Sequence, residues 1–384
     1  MIVEKKYALI VASVASMIEQ FNMHNICLLQ EQGYEVHIAT NFENGSTISD
    51  ERIIQLKEEL NSNNVKFFQI DFSRNVGNFI SHKKAYSQLR RISELYNYSL
   101  MHCHSPIGGV LARLVFRNSS TKIIYTAHGF QFYKGGRVRD WVLFYPIEYI
   151  FSYFTDILIT INNEDYALAT TSMKAKKVFK VDGVGIEYSK IRASATGNKS
   201  SKIRHSLGLS EEEIILISVG ELSVRKNHMI IIKALAMLDL PNLTYLIIGQ
   251  GEQELVIKKY LEANNLCNKV LLLGYRKNIP QLLQESDIFC FPSKREGLGL
   301  AAIEAMAAGL PILTSNVNGI NDYSISGETG YKYHFDDVEG FAEGICRLLD
   351  NETRQRIGEH NVHAAKKYDI AQVNQQMKAI YSQL

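Results

Sequence analysis

Two carboxylates, Glu296 and Glu304, stand eight residues apart in Glu-Gly-Leu-Gly-Leu-Ala-Ala-Ile-Glu, and Ala-Met-Ala-Ala-Gly-Leu-Pro311 follows. The local expectation is a Gly-rich turn that opens onto an Ala-rich helix. At ~1.5 Å of rise per helical residue, the pair would span roughly 12 Å, about the length of a sugar diphosphate. One acid at that spacing can hydrogen-bond a sugar hydroxyl while the other reaches a ribose. Gly297 and Gly299, interleaved with Leu298 and Leu300, let backbone N–H groups approach phosphates where the helix dipole favours anions. The plainer alternative is a solvated glutamate on an amphipathic helix.

A second chemical cluster follows an apolar run, Ile214 to Ser218. In Val219-Gly-Glu-Leu-Ser-Val-Arg-Lys-Asn-His228, Arg225 and Lys226 fall where a loop enters the next helix. Cations there suit a diphosphate. Ile247-Ile-Gly-Gln-Gly-Glu252 is another strand-to-glycine turn, weak on its own because many α/β proteins contain one. Asn318-Gly-Ile-Asn-Asp322 and Gly327-Glu-Thr-Gly330 read as closing turns and caps.

In the first half, Thr126-Ala-His-Gly-Phe130 places His128 at a strand end beside a flexible glycine. His102-Cys-His-Ser-Pro106 ends the strand before it. Side-chain alternation is taken to set His102 and His104 on opposite faces, which disfavours a shared metal; His104 would line a cleft and His102 would pack. The loop Ala12-Ser-Val-Ala-Ser16 is built of small residues, so Ser13 and Ser16 allow close approach of a ligand. From Arg74 to Arg91 the chain carries His82, Lys83, Lys84, Arg90 and Arg91 with no acid, and the last four recur at helical spacing. The segment Trp141 to Phe154 is rich in Tyr and Phe. Together these suit an anionic membrane surface and a lipid pyrophosphate. A solvated basic helix beside a buried aromatic one suits them equally.

The elements that must position these groups alternate along the chain. Strand-like runs are expected at Tyr7–Val11, Glu35–Thr40, Val65–Ile70, Leu100–His104, Lys122–Thr126 and Asp156–Ile161. A second series is expected at Ile214–Gly220, Leu243–Gly249, Val270–Gly274, Ile288–Pro292 and Ile312–Ser315. Helical segments between them predict parallel sheets covered on both faces. Two such series give two Rossmann-like doubly wound domains, residues 1–183 and 184–368, with ligands beyond the carboxyl ends of the strands. A helix over Ile18–Gln32 is expected to end at Gly33. The polar stretch from Ser189 to Ser201 reads as a loop leading into a helix over Lys202–Leu207. The residues around Tyr7 read as a first strand, not as the apolar core of a signal peptide. With 384 residues, two domains are the natural prior. The net charge of +2 forces no nucleic-acid partner, and five scattered cysteines without a CxxC pair fit a reducing cytoplasm. No run reaches 18 apolar residues, so no membrane span is expected.

The ordered series from Val219 to Gly330 resembles that of retaining family 4 glycosyltransferases, in which two glutamates are separated by seven residues. The resemblance reaches nearly the whole chain and includes bacterial capsule and exopolysaccharide enzymes. It implies the GT-B arrangement, with two domains facing across a cleft and a last helix, 369–384, packed back on the first. It implies that Lys226 and Arg225 hold the diphosphate, with the Gly251 turn beside them. Backbone groups near Arg276 would hold the base, Glu296 the donor sugar and Glu304 the ribose. His128 would act near the six-position of the donor sugar. Glu221 departs from the family, standing where an arginine is usual. Catalysis would fall to His128, Glu296 and Lys226, and donor contacts would extend from Glu296 through Leu300. Ser13, Ser16, His104 and Arg74 would serve the acceptor.

The implied substrate is a nucleotide-sugar, a UDP-sugar of hexose or N-acetylhexosamine type, with no cofactor and no metal. The implied partner is a lipid-linked or oligosaccharide acceptor, with peripheral contact to the inner face of the cell membrane through Lys83, Lys84, Arg90 and Arg91. Three rivals remain open. They are a nucleotide-sugar epimerase of the same architecture, a non-catalytic sugar-nucleotide-binding protein and a dinucleotide-dependent dehydrogenase. The dehydrogenase requires Gly-x-Gly-x-x-Gly where this chain has Ala12-Ser-Val-Ala-Ser16.

Overall fold

A computed structural model describes residues 5–44, 47–73, 75–195, 201–238 and 240–384, the side chains of 201 and 202 apart. Arg74 lies outside the described residues. The chain divides into two compact units, Met1–Val184 with Val373–Leu384, and Gly185–Gln372. Each is built on one parallel sheet.

The first sheet contains β1 (Lys6–Val11), β2 (Tyr34–Thr40), β3 (Lys66–Gln69), β4 (Tyr98–His104), β5 (Lys122–Ala127), β6 (Ile157–Thr160) and β7 (Lys177–Lys180). Its order is β3-β2-β1-β4-β5-β6-β7. β1 pairs in parallel with both β2 and β4, so Tyr7–Val11 is an inner strand. The second sheet contains β8 (Ile214–Val219), β9 (Leu243–Ile248), β10 (Val270–Gly274), β11 (Ile288–Phe291), β12 (Ile312–Ser315) and β13 (Gly330–Tyr333), in the order β10-β9-β8-β11-β12-β13. Parallel strands covered on both faces read as unbroken apolar runs; β9, Leu-Thr-Tyr-Leu-Ile-Ile, is buried at every position. The two orders share one property: the strand sequence reverses between β1 and β4, and again between β8 and β11. Loops leaving adjacent strands there diverge to opposite faces and open a crevice at the carboxyl ends.

Several local expectations change. The helix expected over Ile18–Gln32 is two, Ala15–Phe21 and Met23–Glu31, broken at Asn22, whose side chain bonds back to the Met17 carbonyl. The polar stretch after Glu187 is not wholly a loop, because Tyr188–Ala195 is helical and buries Ile191. Ser201–Ser206 is helical too, and residues 196–200 lie outside the described ones. β7 and β13 were not expected; each is an edge strand of four residues.

The first sheet is completed by the helix Ile370–Tyr381. In its later part Val373, Met377, Ile380 and Tyr381 are buried. Gln376 exchanges hydrogen bonds with Asp182 at 2.7 and 3.0 Å.

Candidate functional site

In the second unit, the loops that follow β8 and β11 meet across the reversal point. Lys226 Nζ lies 2.7 Å from Glu296 Oε1, and the Arg225 guanidinium donates to the same oxygen at 2.8 Å. Burial pushes the Glu296 carboxyl upward, but Lys226 and Arg225 overcome it and hold the group below its ordinary value. Lys226 Nζ also sits 4.6 Å above the Phe291 ring, a cation–π contact that fixes its height. The Lys294 N–H donates to the Arg225 carbonyl at 2.8 Å, which ties the two loops together.

Backbone proximity explains the glycines. A Cβ on Gly249 would meet the Gly220 carbonyl at 1.9 Å, and one on Gly319 would meet the Gly297 carbonyl at 2.0 Å. The chains leaving β8 and β9 therefore touch backbone to backbone, as do the Glu296 loop and the short helix Asn318–Asp322. The Asn-Gly-Ile-Asn-Asp segment thus supports the Glu296 loop from beneath, and the Gly319 N–H donates to the Glu296 carbonyl at 3.3 Å.

Gly299, at φ +89°, starts the helix Leu300–Ala308. Only that part is helical, so the expected 12 Å rise from Glu296 to Glu304 does not apply: Glu296 lies in the preceding loop. The Glu304 side chain, inside the helix, has no hydrogen-bond partner among the described residues, and burial pushes its carboxyl up to about 7. Arg276 is exposed and donates to the Leu273 carbonyl at 3.1 Å. Gly251 packs on Leu222, whose carbonyl a Cβ would meet at 2.4 Å. Glu221 is exposed, and its carbonyl faces His228 Nε2 at 3.3 Å.

Three further polar residues were not assigned to the site from the sequence, Asn318 having been read only as part of a closing turn. Asn227, in the left-handed region at φ +59°, donates to the carbonyls of Pro292 and Phe335 at 3.1 and 2.7 Å and pins the Lys226 loop to the end of β11. Ser223 Oγ and Asn318 Oδ1 are buried with no hydrogen-bond partner among the described residues. An asparagine directly before a helix start was the available signal for Asn227; the two orphaned atoms left none.

In the first unit the reversal point is uncharged. Ser13 Oγ and Ser105 Oγ are 2.7 Å apart, and Ser13 Oγ accepts from the Gly108 N–H at 3.0 Å. These serines join the loop after β1 to the helix Pro106–Phe116. Ser13, Ser16 and Ser105 line a cavity of about 640 Å³. Beside it, His104 Nδ1 is 3.0 Å from His128 Nε2, so one ring must donate to the other. The expected opposition of His102 and His104 is wrong. Residues i and i+2 of a strand share a face, and these two rings lie 4.2 Å apart. His102 spends both nitrogens on Tyr381 and Thr126, each at 2.8 Å, which makes it a packing residue. Burial lowers all three histidines, His102 to about 3 and His128 to about 4, so the cluster is neutral at pH 7.

The basic helix Phe79–Leu95 is partly neutralised. Lys84 pairs with Asp71 at 2.6 Å and Arg90 with Glu94 at 2.9 Å, which leaves Lys83 and Arg91 outside any ion pair among the described residues. No helix among those residues is long and apolar enough to cross a membrane.

Comparison with known proteins fits both halves. Residues 199–363 match the family model "Glycosyl transferases group 1", and residues 10–162 match "Glycosyl transferase 4-like". The chain is 31% identical to the putative glycosyltransferase EpsD of Bacillus subtilis, over 98% of this chain and 96% of that one. It is a family 4 glycosyltransferase. The transferase is also 28% identical, over 74% of its length and 75% of the relative's, to an Escherichia coli protein named UDP-Gal:alpha-D-GlcNAc-diphosphoundecaprenol alpha-1,3-galactosyltransferase. Among solved structures, Anabaena HepE in complex with UDP superposes with a TM-score of 0.76 at 18% identity, covering 99% and 100% of the two chains. That likeness carries the GT-B fold. The transferase thus belongs among glycosyltransferases of polysaccharide biosynthesis.

Proposed function

We propose that this transferase moves a hexose or N-acetylhexosamine, with retention and without a metal, from a UDP-sugar to a lipid-linked glycan of a bacterial surface polysaccharide. The observation that carries the donor half is the convergence of Lys226 and Arg225 on Glu296 at the reversal point of the second sheet. A bound diphosphate would draw both cations, freeing the Glu296 oxygens to accept from sugar hydroxyls. As the bond to the sugar breaks, charge grows on the leaving diphosphate. Once drawn onto the diphosphate, the two cations and the N–H groups of Gly297 to Leu300 would stabilise such charge as it grows. Ser223 and Asn318 supply further polar atoms. Glu304 would accept from the ribose, and Gly251 and the backbone near Arg276 would serve the nucleotide. His128 would position the sugar or acceptor as a neutral imidazole.

The uridine donor and the lipid-linked acceptor are supported by the name of the Escherichia coli relative. Retention and metal independence rest on the family resemblance. Peripheral membrane contact would fall to Lys83 and Arg91, because Lys84 and Arg90 are already paired.

The test is thermal stabilisation by UDP, GDP, ADP, UDP-sugars and NAD. A ligand at a hundredfold its Kd adds about 2.7 kcal/mol. Stabilisation by UDP and UDP-sugars, lost in Lys226→Ala, is expected; a response to NAD alone would overturn the reading. Activity that persists in EDTA, with a product of unchanged anomeric configuration by NMR, would test the remaining two points.

A further inference from the structure

The cavity of about 640 Å³ in the first unit opens over the carboxyl ends of β1, β4 and β5, where Ser13, Ser105 and Phe130 each follow a strand closely and line it. Its size is that of a small-molecule site, about 300–1,000 Å³. Its walls are mostly aliphatic and aromatic: Val14 and Met17 from the first helix region, Ile107 and Val110 from the helix Pro106–Phe116, and Phe144 and Ile147 from the helix Val138–Ser152. The one carboxylate lining it, Glu148, is already engaged. Arg113 donates to one oxygen at 2.8 Å and the Tyr125 hydroxyl to the other at 2.9 Å. Polar groups also line it, Ser13, Ser16, Gln20 and Ser105 among them, but the Ser13 and Ser105 hydroxyls bond each other. Most of the lining is hydrocarbon, so a sugar held here would set much of its polar surface against apolar walls, which is costly.

The apolar lining continues to the surface. Val76 and His82 line the cavity, and between them Phe79 and Ile80 stand 79% and 85% exposed. Beside the lining residue Phe144, Val142 is 70% exposed. Lys83, one helical turn from Phe79 and Ile80, has no ion-pair partner among the described residues. An apolar chain that reaches solvent next to an unpaired cation matches a ligand with a hydrocarbon tail and an anionic head.

We infer that this cavity receives the isoprenoid end of a polyprenyl-diphosphate-linked acceptor. The assignment rests on the lipid-linked acceptor proposed above, and it places part of the lipid inside the protein, not only in the bilayer beneath it.

Trp141, the single tryptophan, packs 5.4 Å from the cavity-lining ring of Phe132 and reports on its contents. The experiment titrates the full chain with farnesyl diphosphate and, separately, with inorganic pyrophosphate, following Trp141 fluorescence. Val110→Phe and Ile147→Phe fill the cavity from two different walls, so one can fail to fold without loss of the test. The Trp141 emission of each variant without ligand monitors folding of the first unit, and stabilisation by UDP monitors the donor half. A saturable response to farnesyl diphosphate is expected, absent with pyrophosphate and weakened at least tenfold in a filled variant that keeps the wild-type Trp141 emission and still responds to UDP. Equal responses to the two anions would show recognition of the head alone and overturn the inference. So would farnesyl diphosphate binding that is unchanged by filling, which would mark partition onto the surface. If a soluble glycosyl diphosphate without a lipid loses affinity in the filled variants, the cavity takes the sugar and the inference also fails. A wild-type chain that ignores UDP would instead overturn the transferase reading, whatever the lipid result.

Discussion

The two sheets solve the same topological problem with opposite chemistry. Both reverse strand order at their centre, between β1 and β4 and between β8 and β11, and both bring small residues to the loops above. In the second unit those loops carry two cations on one carboxylate, with glycines that let backbones touch. In the first they carry a serine pair, a neutral histidine cluster and an apolar cavity. Scaffold geometry therefore fixes where a ligand goes, and loop chemistry fixes what it is. One loop set suits an anion; the other suits a ligand that brings little charge of its own into the protein.

Lys226→Ala should break the charged side most severely. It leaves buried Glu296 with Arg225 alone, and transfer should fall by about 10²–10³-fold, with the stabilisation by UDP largely lost. Steady-state kinetics with the UDP-sugar identified by the panel would check it. Gly249→Ala attacks the scaffold beneath the same loops. Its Cβ would overlap the Gly220 carbonyl at a positive φ, and a loss of about 2–4 kcal/mol is expected by denaturant unfolding.

Glu304→Gln sharpens the contrast through pH. The folded carboxyl, raised by burial to about 7 from an ordinary 4.5, keeps a proton that the unfolded chain has released. The folded state thus binds more protons between those values, and stability falls as pH rises through that window. The substitution should remove this slope and raise stability above pH 7 by about 1–3 kcal/mol, while weakening UDP binding roughly tenfold. Thermal melts from pH 5 to 8 would separate the two effects. On the uncharged side, His104→Ala should lower kcat by about tenfold, because it removes the partner of one His128 nitrogen. UDP affinity should stay unchanged. A matching loss of UDP affinity would assign that histidine to the donor and erase the distinction between the two loop sets.

The sequence showed the sheets and the charged loops better than the rest, for physical reasons. β8 and β9 are buried runs that announce themselves, and the glutamate pair sits in a glycine pattern that few other roles require. β7, Lys-Val-Phe-Lys, and β13, Gly-Tyr-Lys-Tyr, are four-residue edges that carry lysine, so nothing in their composition separates them from loops. Tyr188–Ala195 buries one aliphatic residue, Ile191, too little to give helical periodicity. The buried pair of Arg113 and Glu148 joins residues 35 positions apart, which no local pattern connects. The histidine faces were legible from strand alternation and were misassigned. The apolar cavity is assembled from several segments whose hydrophobic residues each look like ordinary core.

The hydrogen bond between His102 and Tyr381 links residues 279 positions apart, and it has a consequence for the order of synthesis. The sheet translated first cannot complete the hydrogen bonds of His102 or close its flank over Asp182 until the ribosome has also released the whole of the second unit. During that interval the nascent first unit keeps an open apolar face, while the second, contiguous from Gly185 to Gln372, is free to fold as it emerges. A stop codon that removes only the residues after Gln372 would therefore injure the oldest part of the protein and spare the newest.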